Sequence, residues 1–168
     1  AMTVLKITFW VCIFLVFYTY IAYGILLWLL VQLKRLVKGK AARADLPADE
    51  SLPHVTLIIC AYNEQDIVEE KMENTRQLDY PKDKLHVMWV TDGSTDQTNE
   101  RLKRYADVEI VYSPERKGKT AALNHGISMV QTELTMMTDA NTMINPQAVR
   151  ETVRCFQDPQ VACVAGEK

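Results

Sequence analysis

Two acidic turns, 47 residues apart, carry the side chains best suited to do chemistry. Residues 91–94 (TDGS) and 138–141 (TDAN) each follow a short apolar run. Such runs are typical of buried strands, so Asp92 and Asp139 are predicted where a strand ends and a loop begins. Open α/β sheets bind ligands beyond the carboxyl ends of their strands. Two carboxylates at that edge predict a site for a cation and for a phosphorylated compound that the cation neutralises.

The second turn has the side chains of a hard-cation site. Asp139 and Asn141 stand two residues apart, which lets both oxygen atoms face one Mg²⁺ or Mn²⁺ ion. In the first turn, Gly93 follows Asp92 and permits close approach of a ligand. Either turn alone could be a local structure in which the side chain bonds its own backbone. The two together, with a basic helix start between them, favour a ligand site.

That basic helix start contains Arg116, Lys117 and Lys119. Backbone N–H groups and the helix dipole at such a position favour a bound anion. Residues 118–120 (GKT) resemble the end of a phosphate-binding P-loop, but Ser113 stands where that pattern requires glycine. The alternative interpretation is a solvated basic turn.

Residues 60–64 (CAYNE) leave the first predicted strand without the glycine pattern of a dinucleotide-binding turn. The small side chain of Ala61 would let a flat base approach the backbone. Asn63 and Glu64 offer hydrogen bonds to a base or a ribose. Asn63 could instead be the N-cap of the next helix.

Strands and helices alternate throughout the segment that carries these motifs. Strands are predicted at 55–60, 85–90, 108–112, 134–138 and 161–165, and helices at 65–78, after the Ser94/Gln97 capping box, at 119–130 and after Asn145. This alternation predicts right-handed crossovers and a mostly parallel sheet. We therefore expect an α/β, Rossmann-like domain that forms part of a larger one.

The first 40 residues predict a single-pass transmembrane anchor. No charged residue occurs at 7–33, a run that would span roughly 40 Å as a helix. Basic residues follow the run, so the positive-inside rule places the rest of the chain in the cytoplasm. A cleaved signal peptide and a buried helix are the alternatives. The prediction divides the chain into an anchor (1–40), a linker (41–53) and the α/β domain (54–168).

Charge and cysteine content argue against a nucleic-acid-binding protein and against a cysteine metal site. From residue 44 onward, 21 acidic residues face 13 basic ones, a net formal charge of −8, which argues against nucleic acid as a partner. The four cysteines show no metal-binding spacing, and we expect them to be buried, unpaired thiols of a reducing cytoplasm.

Four motifs in order resemble those of family 2 glycosyltransferases with a GT-A fold. They are residues 61–64 (AYNE), 91–98 (TDGSTDQT), 116–126 (RKGKTAALNHG) and 138–142 (TDANT). The basic flank and the anchor resemble the membrane-bound, often processive branch that makes polysaccharides such as poly-N-acetylglucosamine, hyaluronan, chitin or cellulose. The resemblance covers roughly residues 55–168.

The resemblance implies a nucleotide-sugar donor, expected to be a UDP-sugar, and a glycan or lipid-linked acceptor. In such enzymes the positions that match Ala61, Glu64, Asp92 and Lys119 hold the uridine. The positions that match Asp139 and Asn141 form a D-x-D motif, which binds a divalent metal that bridges to the diphosphate. Asn141 departs from that motif, so Asp139 would carry most of the metal binding and is the predicted catalytic residue. The whole predicted nucleotide-binding set is Ala61, Tyr62, Glu64, Asp92, Gly93, Lys117, Lys119 and Asp139.

The same resemblance implies an inverting reaction in which a general base activates the acceptor hydroxyl. In this family the base lies on a later acidic motif, which these residues do not include. We therefore expect the donor-binding half of a longer enzyme. The alternatives are a membrane-tethered nucleotide-binding module without activity and, less favoured because its glycine-rich signature is absent, a nucleotidyltransferase.

Overall fold

The computed structural model describes residues 2–38, 45–46 and 48–166. The chain divides into two compact units, Ala1–Arg43 and Ala44–Lys168. In the first unit, α1 (Met2–Phe17) continues through a wide π-helical turn (Tyr18–Ala22) into α2 (Tyr23–Lys38). The stretch Met2–Val37 is long and apolar enough to cross a membrane, judged by length and composition.

The second unit is built on a four-stranded parallel sheet, which confirms the α/β prediction. The strands are β1 (Val55–Ala61), β2 (Leu85–Asp92), β3 (Glu109–Ser113) and β4 (Leu134–Asp139), in the order β3-β2-β1-β4. The helices are α3 (Val68–Arg76), α4 (Thr98–Leu102), α5 (Lys119–Met129) and α6 (Ala148–Cys155). The strand order reverses between β1 and β4, and such a switch point is where doubly wound sheets open a ligand crevice.

Helices cover both faces of the sheet, which explains why β1 is apolar along nearly its whole length. On one face, α3, α4 and α6 bury Val68, Leu102 and Val149 in the cluster that contains Trp89 of β2. On the other face, α5 packs against Ile58, Met88 and Val90. A Cβ atom at Gly126 of α5 would lie 2.7 Å from Val90 Cγ2, so this glycine lets the helix approach the sheet.

The register brings the predicted polar residues to one edge. Cys60 at the end of β1 pairs with Asp139 of β4, and Ala61 pairs with Thr91 of β2. The prediction that Asp92 and Asp139 end their strands is confirmed. Parallel strands end at the same edge of a sheet, and therefore Asp92 and Asp139 both lie at the edge where the crevice is expected.

Three local predictions were wrong. Residues 161–166 form no strand, and no sheet partner for them occurs among the described residues. The capping box is not formed: Ser94 Oγ accepts from the Asn63 N–H, and Asp96 Oδ1 instead accepts from the N–H and hydroxyl of Thr98. The cysteines are unpaired as expected but are not fully buried.

Candidate functional site

The candidate site lies where the loops after β1, β2 and β4 meet the amino end of α5. Four segments contribute: the loop after Ala61, the loop after Asp92, the basic loop at 115–118, and the turn at 139–142. The structure thus brings together the residues predicted to bind a nucleotide and those predicted to bind a metal.

Asp92 holds the basic loop in place. Its side chain is buried, Oδ1 accepts from the Lys117 N–H at 2.9 Å, and Oδ2 accepts from the Gly118 N–H at 2.7 Å. Charge-assisted bonds of this kind are among the stronger hydrogen bonds in proteins. Asp92 therefore sets the position of the cations around it, a role that its sequence pattern did not reveal. Direct contact between Asp92 and a nucleotide stays a prediction.

Gly93 is required by the chain itself. Its φ angle is +65°, its N–H donates to Ser113 O at 2.8 Å, and a Cβ atom would lie 2.7 Å from the backbone nitrogen of Arg116. A side chain at this position would push the basic loop away from β2. The close approach predicted for Gly93 is thus made by the basic loop of the same chain.

A flat stack of two side chains flanks the site. The Arg116 guanidinium lies 3.9 Å from the centre of the Tyr62 ring, within the range of a cation–π interaction. Tyr62 is exposed, whereas neighbouring Ala61 is buried. An exposed aromatic face and a guanidinium plane at the end of β1 can both accept a stacked base.

Asn63 and Glu64 take different roles in the loop after β1. Asn63 adopts a left-handed φ of 54°, and its Oδ1 accepts from the Thr95 N–H at 2.8 Å, which joins this loop to the loop after β2. It is therefore neither an N-cap nor a free base-binding group. The Glu64 N–H donates to Thr98 Oγ1 at 2.9 Å. Within the described residues, the Glu64 carboxylate has no ion pair or hydrogen bond and is free to accept from a ligand.

Lys119 and Asp139 form an ion pair across the site. Lys119 Nζ lies 2.6 Å from Asp139 Oδ1, and the two side chains are 62% and 39% exposed. The hydrogen bond that Lys119 donates to Asp139, together with the carboxylate charge, raises the pKa of Lys119, so the lysine is cationic at neutral pH. Both partners face solvent, and therefore either can exchange the other for a ligand.

The donor set at the Asp139 turn fits a hard divalent cation that is shared with a ligand. Asp139 offers a carboxylate and exposed Asn141 an amide oxygen. Among the described residues, no three histidine, cysteine, aspartate or glutamate side chains lie together in a group that could hold a metal ion by themselves. Mg²⁺ commonly binds one or two carboxylates together with substrate phosphates and waters. The two side chains therefore suit Mg²⁺ or Mn²⁺ carried in with a diphosphate.

Lys71 is a site-associated residue that sequence reasoning missed. This lysine of α3 is fully buried, and its Nζ donates to the carbonyl oxygen of Thr142, directly behind the Asp139 turn. Burial lowers the pKa of Lys71 to about 8, against the opposing effect of the Asp139 charge. A signal existed, since Lys71 lies three residues after Val68 and one before Met72, within the inward helical stripe.

The comparisons with known proteins agree with this geometry. Residues 56–167 match the family described as Glycosyl transferase family 2. The chain belongs to glycosyltransferase family 2. The poly-β-1,6-N-acetyl-D-glucosamine synthase of Staphylococcus aureus (strain MSSA476) is 32% identical over 128 residues, which cover 74% of this chain and 30% of the synthase. The Staphylococcus epidermidis synthase is 29% identical over 116 residues, which cover 67% of this chain and 28% of that synthase.

Two solved structures have the same fold as the α/β unit of this chain. A mannosyltransferase from Pyrobaculum calidifontis in complex with GDP-Man and Mn²⁺ is 32% identical, with a TM-score of 0.68 over 87% of this chain and 44% of that chain. S. aureus TarS 1–349 in complex with UDP-GlcNAc is 20% identical, with a TM-score of 0.58 over 62% of this chain and 31% of that chain. The family 2 chain described here spans less than a third of the length of its curated relatives.

Proposed function

We propose that this chain is the membrane-anchored, donor-binding part of an inverting glycosyltransferase. It binds a nucleotide-diphosphate sugar, first expected to be a UDP-sugar, together with Mg²⁺ or Mn²⁺. The acceptor is a glycan or a lipid-linked acceptor at the cytoplasmic face. The observation that carries this proposal is the 2.6 Å contact between Lys119 Nζ and Asp139 Oδ1, because the cation proposed for the diphosphate lies beside the carboxylate proposed for the metal.

Each half of that ion pair has a separate task when the donor binds. Asp139, with Asn141, would hold the divalent cation, which neutralises the charge that develops on the leaving diphosphate. Lys119 would turn from Asp139 to the diphosphate oxygens. The amino end of α5 adds backbone N–H groups and a favourable dipole for the same anion.

The nucleoside would lie along the loop after β1. The exposed Tyr62 ring offers a stacking face, the Glu64 carboxylate accepts from ribose or base donors, and buried Ala61 leaves room for the base. Asp92, which accepts from the Lys117 and Gly118 N–H groups, holds the backbone of the basic loop just before α5. A general base must also activate the acceptor hydroxyl, and we assign none of the described residues to that role.

The choice of base in the donor is the part of the proposal that the relatives leave open. The mannosyltransferase relative was solved with GDP-Man, whereas the curated relatives are named for N-acetyl-D-glucosamine polymers. UDP and GDP are therefore both tested.

Calorimetric titration of the detergent-solubilised full chain tests the proposal. We expect UDP to bind in the presence of Mn²⁺ and to be released by EDTA, because a cation held by Asp139 would neutralise the diphosphate charge. Asp139→Ala should weaken metal-dependent binding by at least about tenfold, or about 1.4 kcal/mol. Asp83→Ala, at an exposed aspartate, serves as the matched control.

The outcomes separate the parts of the proposal. Tighter binding of GDP than of UDP would correct the base while keeping the donor site. A chain that is folded by circular dichroism and binds neither nucleotide would overturn the proposal. Unchanged affinity in Asp139→Ala would show that the metal site lies elsewhere.

A further inference from the structure

The turn that carries Asp139 and Asn141 continues into a segment with no secondary structure of its own. Residues 142–145 are neither helix nor strand, and the Thr142 N–H donates back to Asp139 O at 3.2 Å. Backbone groups of such a segment must find partners elsewhere when they are buried. Two side chains of α3 provide them.

Lys71 is the first of these side chains. Lys71 is 0% exposed, which is rare for lysine because burying the ammonium removes its hydration. Of the described residues, only Thr142, through its carbonyl oxygen, accepts a hydrogen bond from Nζ. The acceptor thus belongs to the same turn as the predicted metal ligands.

Asn74, one helical turn further along α3, is the second. Its Nδ2 donates to Ile144 O at 2.8 Å, and its Oδ1 accepts from the Ile144 N–H at 3.0 Å. This paired contact resembles the bonding that a neighbouring strand would provide. Residues three apart lie on the same side of a helix, so Lys71 and Asn74 act on the segment together.

We infer that Lys71 and Asn74 are positioning residues that hold the 142–144 segment against α3 and thereby set the geometry of the Asp139–Asn141 metal turn. This inference rests on the proposed function for its effect on the donor. A buried lysine costs stability compared with an apolar side chain of the same length. A role limited to packing would be better filled by methionine, whereas holding a carbonyl requires the ammonium donor.

Lys71→Met tests the inference because methionine keeps the long unbranched side chain and removes the donor together with its charge. We expect metal-dependent UDP affinity to fall by about tenfold, the lower end of what loss of outer support costs at metal sites. Asn74→Leu should have the same direction of effect. Lys103→Met, the same change at an exposed lysine, should leave the affinity unchanged.

Hydrogen exchange of the full chain without ligand supplies a readout that is independent of donor binding. We expect faster exchange in peptides covering residues 139–146 of Lys71→Met and Asn74→Leu, and no change in peptides from β1 or in Lys103→Met. Unchanged exchange at 139–146 would overturn the inference, whatever happens to binding. Faster exchange with unchanged metal-dependent affinity would overturn it too, because the contact would then serve the fold alone.

The proposed function and this inference fail in different ways. If the unmodified chain is folded but binds neither UDP nor GDP, the proposed function fails. The effect of Lys71 on the donor then fails with it, while exchange at 139–146 still decides whether α3 holds the segment. If the unmodified chain binds UDP and the variants bind it equally well, the inference alone fails.

Discussion

The Lys119–Asp139 ion pair illustrates how much of the candidate site consists of charges that are engaged within the protein. Asp92 is bonded to two backbone N–H groups, and Arg116 is stacked on Tyr62. The proposed donor would therefore replace some of these contacts with contacts of its own. The exposed ion pair is the easiest to exchange, because solvent-exposed pairs contribute only about 0.2–1 kcal/mol.

Lys119→Met should separate the two ligands of the site. The Lys119 ammonium and Mn²⁺ would compete for the Asp139 carboxylate. Without the ammonium, Mn²⁺ alone should bind up to about fivefold more tightly, in line with the small free energy of an exposed ion pair. UDP should bind about tenfold more weakly, and uridine should be unaffected, because Lys119 is assigned to the diphosphate. The free Mn²⁺ signal in electron paramagnetic resonance and calorimetric titration of UDP and uridine measure these effects.

The outcome of Lys119→Met can also contradict the assignment. Equal loss of UDP and uridine affinity would place Lys119 at the nucleoside. Unchanged UDP affinity would leave the lysine with no role in the donor site. Lys103→Met again provides a matched exposed lysine.

Helix α3 both packs against the sheet and contacts the segment after β4, and its sequence pattern indicates only the packing. Val68, Met72 and Thr75 pack it against the sheet, while Lys71 on the same inward stripe reaches the segment after β4. The apolar residues predicted the helix and its buried face. The spacing of Lys71 places it on the buried face, whereas its charge favours a solvated position, so these two sequence signals conflict.

The buried ammonium of α3 predicts a pH dependence of stability. Burial lowers the pKa of Lys71 from 10.5 to about 8, so between these values the unfolded chain binds more protons than the folded one. The free energy of unfolding should therefore rise with pH in that window, by up to about 1.4 kcal/mol per pH unit, and Lys71→Met should abolish this contribution. Below about pH 8 the lysine is protonated in both states and contributes no slope.

Urea unfolding at pH 7.5 and pH 9.5 measures this difference. The fluorescence of buried Trp89 reports on the α/β unit. The stability of the unmodified chain relative to Lys71→Met should increase at the higher pH. An equal difference at both values would show that the ammonium is not desolvated in the folded state.

The two units of the chain differ in how much apolar surface they expose. Met2–Val37 exposes nearly all of its large apolar side chains, whereas the α/β unit buries its apolar residues around the sheet. A contiguous apolar surface of that length is rarely left facing water in a soluble protein. The proposed anchor provides an environment for it.

Anchoring predicts where the chain is found and which side of the membrane its domain faces. After expression of the full chain, alkaline carbonate should leave it in the membrane pellet. A membrane-impermeant maleimide should label exposed Cys155 only after the cells are opened. Release by carbonate would contradict the anchor, and labelling of Cys155 in intact cells would contradict the cytoplasmic orientation. A Cys155→Ser variant shows whether Cys163 contributes to the signal.

The sequence by itself determined the strands, most of the helices, and the placement of Asp92 and Asp139 at strand ends. These features depend on local patterns, since a strand alternates or fills with apolar residues and ends where turn residues begin. The ordered motifs also determined the family, which the match at residues 56–167 confirms. The predicted fifth strand was wrong because apolar composition cannot supply a pairing partner.

The tertiary structure alone decided which of these residues meet. Asp92 finds its partners 25 and 26 residues away, and Lys71 finds Thr142 across 71 residues. Such contacts follow from the strand order and from the register that sets Cys60 beside Asp139. Local spacing contains no information about that register. It therefore could not show that Asp92 secures the basic loop, that Asn63 joins two loops, or that a buried lysine stands behind the metal turn.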